Sequence, residues 1–216
     1  MKTDNRIQEL YTRRGSFYER LFVGFLGWGR ELETFFRVSD YLCPGLKILD
    51  AGCGTGVISR VLYKLGLEKG YEGLRFHAFD LTRNILEIFW QWVAEQEANN
   101  IELEQADVLE IETLPSDWKG YDLIVISTML EYLPGNKVKE ALINLRQLLK
   151  EGGILLALIT RRNIMTRWLA ANWWKTNSYA PSEIKPLFHA VGFAEIQSKK
   201  FTPGWSGFIM VIQAEK

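Results

Sequence analysis

An acid followed by alternating glycines, Asp50-Ala51-Gly52-Cys53-Gly54-Thr55-Gly56, is the segment of this chain best suited to hold a ligand. Glycines leave the backbone bare, so a ligand can lie directly against amide groups. The spacing narrows the chemistry. A dinucleotide loop places glycine at the sixth position of G-x-G-x-x-G, and Val57 stands there. No Gly-Lys-Ser/Thr follows, which removes the phosphate cradle of nucleoside triphosphatases. Further along, acids stand where apolar runs stop, at Asp80-Leu81, Asp107-Val108 and Glu131-Tyr132, with a hydroxyl at Ser127. A carboxylate such as Asp80 suits a ribose diol, because it can accept from both hydroxyls.

The elements that must position these groups follow from the patterning. Short apolar runs alternate with stretches of helical period, which predicts a mainly parallel sheet covered on both faces. Strands are expected at Leu46–Asp50, Arg75–Asp80, Ile101–Gln105, Tyr121–Ser127, Gly153–Thr160, Ala194–Phe201 and Gly207–Ala214. Helices are expected at Val57–Leu65, Thr82–Ala98, Lys137–Lys150 and Ser182–Val191, with Thr82 as an N-cap. Gly152-Gly153 is expected to stop the third helix, with Lys150 in its last turn. The final two strands are joined by Thr202-Pro203-Gly204-Trp205-Ser206, too short for a crossover helix, and must pair antiparallel. In such a sheet ligands bind at the carboxyl ends of the strands.

The strand followed by D-x-G-x-G-x-G, together with a parallel sheet ending in a reversed strand, resembles the class I S-adenosylmethionine-dependent methyltransferases. The likeness covers roughly residues 46–216. It implies a Rossmann-like α/β fold with seven strands, the last antiparallel, and S-adenosylmethionine as cofactor. It implies that Asp50, Gly52 and Gly54 form the cofactor loop and that Asp80 and Leu81 take the ribose. By the same resemblance Asp107 reaches the adenine amino group and Val108 packs on the ring. The loop opening at Ser127 offers main-chain carbonyls to the cofactor's ammonium. The family often reads Glu-His-Leu where this chain has Glu131-Tyr132-Leu133, so histidine base chemistry is excluded at that position. Tyr132 and Glu131 remain the nearest polar candidates for a catalytic role on the acceptor side. The stretch from Tyr11 to Tyr18 loosely resembles the entry segment of quinone-biosynthesis and phospholipid methyltransferases, which places Tyr18 over the methionine moiety.

Composition sets the remaining bounds. The chain has 216 residues, 47% hydrophobic and 24% charged, which describes one globular domain over 1–216. A formal net charge of zero speaks against a nucleic-acid partner, and the Ser127-Thr128-Met129-Leu130 run lacks the proline-aromatic motif for a planar nitrogen acceptor. Cys43 and Cys53 make neither a disulfide framework nor a metal site, and His77 and His189 fall in a strand and a helix away from strand ends. No metal is therefore expected. No apolar run reaches the ~18 residues of a membrane span, and the expected location is the cytoplasm.

Two segments lie outside the shared framework. Residues 1–45 are expected to form a helical lid. Residues 161–181 are expected to form an inserted cap, with Ile164, Met165, Trp168, Leu169 and Trp173 at helical spacing among Arg161, Arg162, Arg167 and Lys175. A cap, a core helix and a peripheral membrane contact are the readings open for it. Aromatic walls favour a small, largely apolar or lipid-like acceptor. The competing functions are a non-catalytic relative that binds the cofactor as a partner or regulator, and a protein or RNA methyltransferase.

Overall fold

The computed structural model describes residues 27–164, 166 and 176–216. The chain divides into two compact units, Met1–Asp107 and Val108–Lys216.

The first unit holds α1 (Trp28–Arg37), β1 (Lys47–Ala51), α2 (Val57–Glu68), β2 (Arg75–Asp80), α3 (Arg83–Glu95) and β3 (Ile101–Gln105). Its strands run in the order β3-β2-β1, all parallel, with Asp50 opposite Ala78 and Phe79 opposite Glu104. The interior of β2, Phe76 to Phe79, is buried throughout, as a strand covered on both faces requires. The core is filled by Ile48, Leu49, Leu62, Leu65, Leu86 and Phe89, all nearly inaccessible. The described part of the expected N-terminal lid segment forms α1, which packs against α2 and buries Trp28, Leu32, Phe35 and Phe36.

The second unit holds β4 (Tyr121–Ser127), α4 (Val138–Leu148), β5 (Leu149–Thr160), α5 (Pro181–Ala190), β6 (Ile196–Lys199) and β7 (Ile209–Glu215). Strand order is β4-β5-β7-β6. β4 and β5 are parallel, and β7 runs antiparallel to both β5 and β6. The reversed last strand and the terminal hairpin are those expected from the short connection before β7.

Several ends shift by a few residues, and one boundary, between the helix after β4 and β5, differs in kind. The helix after β4 ends at Leu148, and the Gly152-Gly153 pair lies inside β5 rather than beyond a helix. Gly153 is needed for close approach: a Cβ there would stand 2.7 Å from the carbonyl oxygen of Tyr121. The pairing of β4 with β5 shifts register at this point, between Tyr121 and Leu123. Lys150 consequently sits in the strand and forms an ion pair with Asp122 instead of completing a helix terminus.

Candidate active site

In the first unit three strand ends meet around the glycine loop. The amides of Gly52 and Cys53 both donate to the carbonyl of Phe79, at 2.8 and 3.0 Å. The amide of Gly54 donates to Oδ2 of Asp80 at 2.8 Å, and Oδ1 of Asp80 accepts from the amide of Thr82 at 2.8 Å. From the next strand, the amide of Ala106 donates to the carbonyl of Asp80 at 3.1 Å, and the side-chain amide of Gln105 donates to the carbonyl of Leu81 at 3.1 Å. Asp50, Gly52, Gly54, Asp80, Leu81 and the approach to Asp107 are thus held together. Burial raises the Asp80 carboxyl above its ordinary range, against the hydrogen bonds from Thr82 and Gly54.

The loop has the geometry that glycine permits. Gly52, Gly54 and Gly56 all have positive φ, at 70°, 55° and 79°. They differ in what surrounds them. Among the described residues a Cβ on Gly54 would meet only Ile85, at 4.0 Å, which leaves that face free for a ligand. A Cβ on Gly56 would strike the Phe89 ring at 2.4 Å. Gly56 is therefore the point where the loop packs on α3, a role that its place among three alternating glycines did not distinguish.

Asp50 faces inward. It is 2% exposed, and its Oδ2 accepts from the amide and hydroxyl of Ser59 at 3.2 and 2.7 Å. Ser59 is the third residue of α2, whose first amides have no partners within the helix. The carboxylate therefore secures the start of the helix that follows the loop. Burial pushes this carboxyl up to about 7, with the Ser59 bonds opposing and the charge of Asp80 adding to the shift. Buried Cys53, between two of the glycines, has its thiol raised well above its ordinary value by the same loss of water.

In the second unit Val108 is buried, and its carbonyl accepts from the side-chain amide of Asn144 at 2.9 Å. Ser127 is half-buried at the end of β4. Thr128, next in line, has φ 51°, and its amide donates to the carbonyl of Leu158 at 2.9 Å. A β-branched residue in the left-handed region is strained, and such strain gathers at functional sites. Glu131 is 2% exposed, and its Oε1 accepts from the amide of Thr160 at 2.5 Å. Tyr132 is half-buried in the same single turn, Leu130–Tyr132. Thr160 and Asn177, which bond to this turn from β5 and from the segment ahead of α5, carry no sequence signal that would have picked them out.

Tyr18, and Met165, Trp168, Leu169 and Trp173 of the expected cap, lie outside the described residues. Ile164 is 92% exposed. Among the described residues no helix is long and apolar enough to cross a membrane, and no group of three or more His, Cys, Asp or Glu could hold a metal ion.

The open face of Gly54 beside an acid tied to the loop fits an adenosyl group, whose diol needs an acceptor and whose chain needs bare backbone. Comparison with known proteins agrees. Residues 48–153 match the family model described as a methyltransferase domain. The chain is 26% identical over 164 residues to squalestatin tetraketide synthase of Phoma, covering 72% of this chain and 6% of that protein. It is 31% identical over 109 residues to the malonyl-[acyl-carrier protein] O-methyltransferase of Halalkalibacterium halodurans, covering 50% of this chain and 37% of that one. The chain thus spans only a small part of the long synthase and about a third of the second relative. Among solved structures, the magnesium protoporphyrin IX methyltransferase of Synechocystis, crystallised with S-adenosylhomocysteine, superposes with a TM-score of 0.74. It shares 16% identity, with 98% of this chain and 99% of that one covered. The match spans the glycine loop, and the fold is the Rossmann-like fold of the class I, S-adenosylmethionine-dependent methyltransferases, which this chain resembles.

Proposed function

We propose that the protein transfers a methyl group from S-adenosylmethionine to a small, largely apolar acceptor of the acyl or ketide kind. The observation that carries this reading is the tether from the Gly54 amide to Asp80 beside the open face of the loop. In this reading Asp80 accepts from the ribose hydroxyls, while Gly52, Gly54 and Leu81 offer main chain to the nucleoside. Asp107 and Val108 serve the adenine, and Ser127 and Tyr18 serve the methionine portion. Asp50 acts at one remove, by holding α2 and so the loop that precedes it.

When bound, the cofactor supplies a methyl group on positively charged sulfur; an acceptor lone pair forms the new bond as the carbon–sulfur bond breaks with its electrons going to sulfur. The protein's part is alignment and exclusion of water, and alignment alone is worth about 7–11 kcal/mol in well-oriented reactions. A fixed catalytic triad is not required for that. The acyl class of acceptor is supported by the names of two relatives, one a tetraketide synthase and the other a methyltransferase of a malonyl group on a carrier protein.

Titration calorimetry with S-adenosylmethionine, S-adenosylhomocysteine and NAD tests the reading. Both sulfur compounds are expected to bind and NAD is not, because Val57 replaces the third dinucleotide glycine. Heat from NAD with none from either sulfur compound would overturn it.

A further inference from the structure

In the second unit the Glu131 side chain is almost fully buried, yet only one of its carboxyl oxygens has work to do. Oε1 accepts from the amide of Thr160, at the last residue of β5, while Oε2 is buried without a partner among the described residues. The same residue's main-chain oxygen accepts from the amide of Asn177 at 2.8 Å. Two further bonds run between the same pieces of chain. The Asn177 side-chain amide donates to the carbonyl of Leu133 at 2.8 Å, and the Tyr179 hydroxyl donates to the carbonyl of Leu130 at 3.4 Å. The amide of Tyr179 donates back to the carbonyl of Thr160 at 3.3 Å. Three segments, 130–133, Thr160 and 177–179, are thus stitched around one carboxyl.

We infer that Glu131 is a positioning residue: its carboxyl and its main-chain oxygen together hold the turn after β4 to the end of β5 and to the chain returning at Asn177, and so fix the acceptor side of the methyl-transfer site. The purpose assigned to the arrangement rests on the methyltransferase reading; the arrangement itself does not.

A buried carboxylate with an unpaired oxygen is costly, so the group belongs there in its neutral form. Burial pushes it up to about 7, against the bonds from Thr160. The titratable group that feels its charge is the Tyr179 phenol, itself pushed up to about 12, first by burial and then by Glu131. Arg162 and Glu183 act on Tyr179 in opposite senses and pair with each other at 2.6 Å. Ionisation of Glu131 leaves a charge that only entering water can solvate, which requires the stitched segments to part. The neutral isostere glutamine keeps an acceptor for Thr160 and carries no charge.

Amide hydrogen exchange at Thr160 and Asn177 reads this out residue by residue. For the wild-type chain the protection factors at both amides, corrected for intrinsic exchange, are expected to fall about tenfold between about pH 6 and about pH 8. Glu131→Gln is expected to hold wild-type protection at the lower pH and to abolish the pH dependence. Glu131→Ala is expected to lose protection at both amides at every pH; should it not fold, the comparison of wild type with Glu131→Gln decides. Affinity for S-adenosylhomocysteine, measured in parallel, is expected to stay within about threefold in Glu131→Gln, a change below 1 kcal/mol. Protection independent of pH in the wild type, or glutamine failing to preserve it, would overturn the inference. A tenfold or greater fall in that affinity would overturn the assignment to the acceptor side. Absence of S-adenosylhomocysteine binding by the wild type would instead overturn the proposed function, and the amide data would still judge the positioning role of Glu131.

Discussion

The amide of Gly54 donates to Oδ2 of Asp80 over 2.8 Å, so the loop leaving β1 and the acid ending β2 are one unit. Removing the acid therefore does two things. Asp80→Ala is expected to weaken binding of S-adenosylhomocysteine by ~2–4 kcal/mol through the lost ribose bonds, which are charge-assisted. It is also expected to lower folding stability by ~1–3 kcal/mol, because the Gly54 and Thr82 amides lose their acceptor. Calorimetry and urea unfolding separate the two effects. Unaltered affinity in a folded variant would reduce Asp80 to a fastener of the loop.

Gly54 and Gly56 should respond differently to the same methyl group. Gly54→Ala meets open space and only the strain of a left-handed φ, about 1 kcal/mol, yet it puts a side chain on the face offered to the ligand. The expected result is a folded protein with much weaker affinity for S-adenosylhomocysteine. Gly56→Ala drives a Cβ into the Phe89 ring, and its expected cost is ~2–4 kcal/mol of stability from strain and overpacking together. Thermal melts of the two variants, with and without ligand, distinguish them. Equal melting temperatures would show that the loop shifts freely.

Asp50 makes stability depend on pH in a definite direction. Its folded value of about 7 stands above its ordinary 3.8, so the folded state binds the proton more tightly. Stability from this group is fully present below about pH 3.8 and is lost as pH rises through about 7. Unfolding free energy is therefore expected to decline between about pH 5 and about pH 8, on the order of a few kcal/mol. Asp50→Asn, which keeps an acceptor for Ser59, should flatten that decline. A slope identical in wild type and variant would show that the carboxyl ionises without cost.

Much of the framework could be read directly. β2, β3 and β4 begin and end where expected because polar residues bound each apolar run on both sides. β5 could not be read so: Leu149 to Gly152 looks like a helix end, and only pairing beside Tyr121 draws it into the sheet. The same division runs through the site. The loop and Asp80 announce themselves by spacing, whereas Asp50 and Glu131 resemble ligand-facing acids and are turned instead toward Ser59 and Thr160. Orientation of a strand-end acid depends on partners nine or twenty-nine residues away, and no local pattern encodes it.

Arg161 and Tyr179 form a parallel bridge, reinforced where the Arg162 amide donates to the carbonyl of Tyr179 at 2.9 Å and its guanidinium reaches the carbonyl of Ser178. The chain therefore leaves β5 and returns beside it through a clasp made by Arg161, Arg162, Ser178 and Tyr179. To the sheet, the two ends of the loop are fixed at Arg161 and Tyr179, with Asn177 bonded to the turn at Glu131 just inside the second. Doubling the length of a loop closed in this way costs only ~0.6 kcal/mol of closure entropy, so residues added between the fixed ends would leave the register of β4, β5 and β7 untouched as long as Asn177 keeps its bonds to the turn.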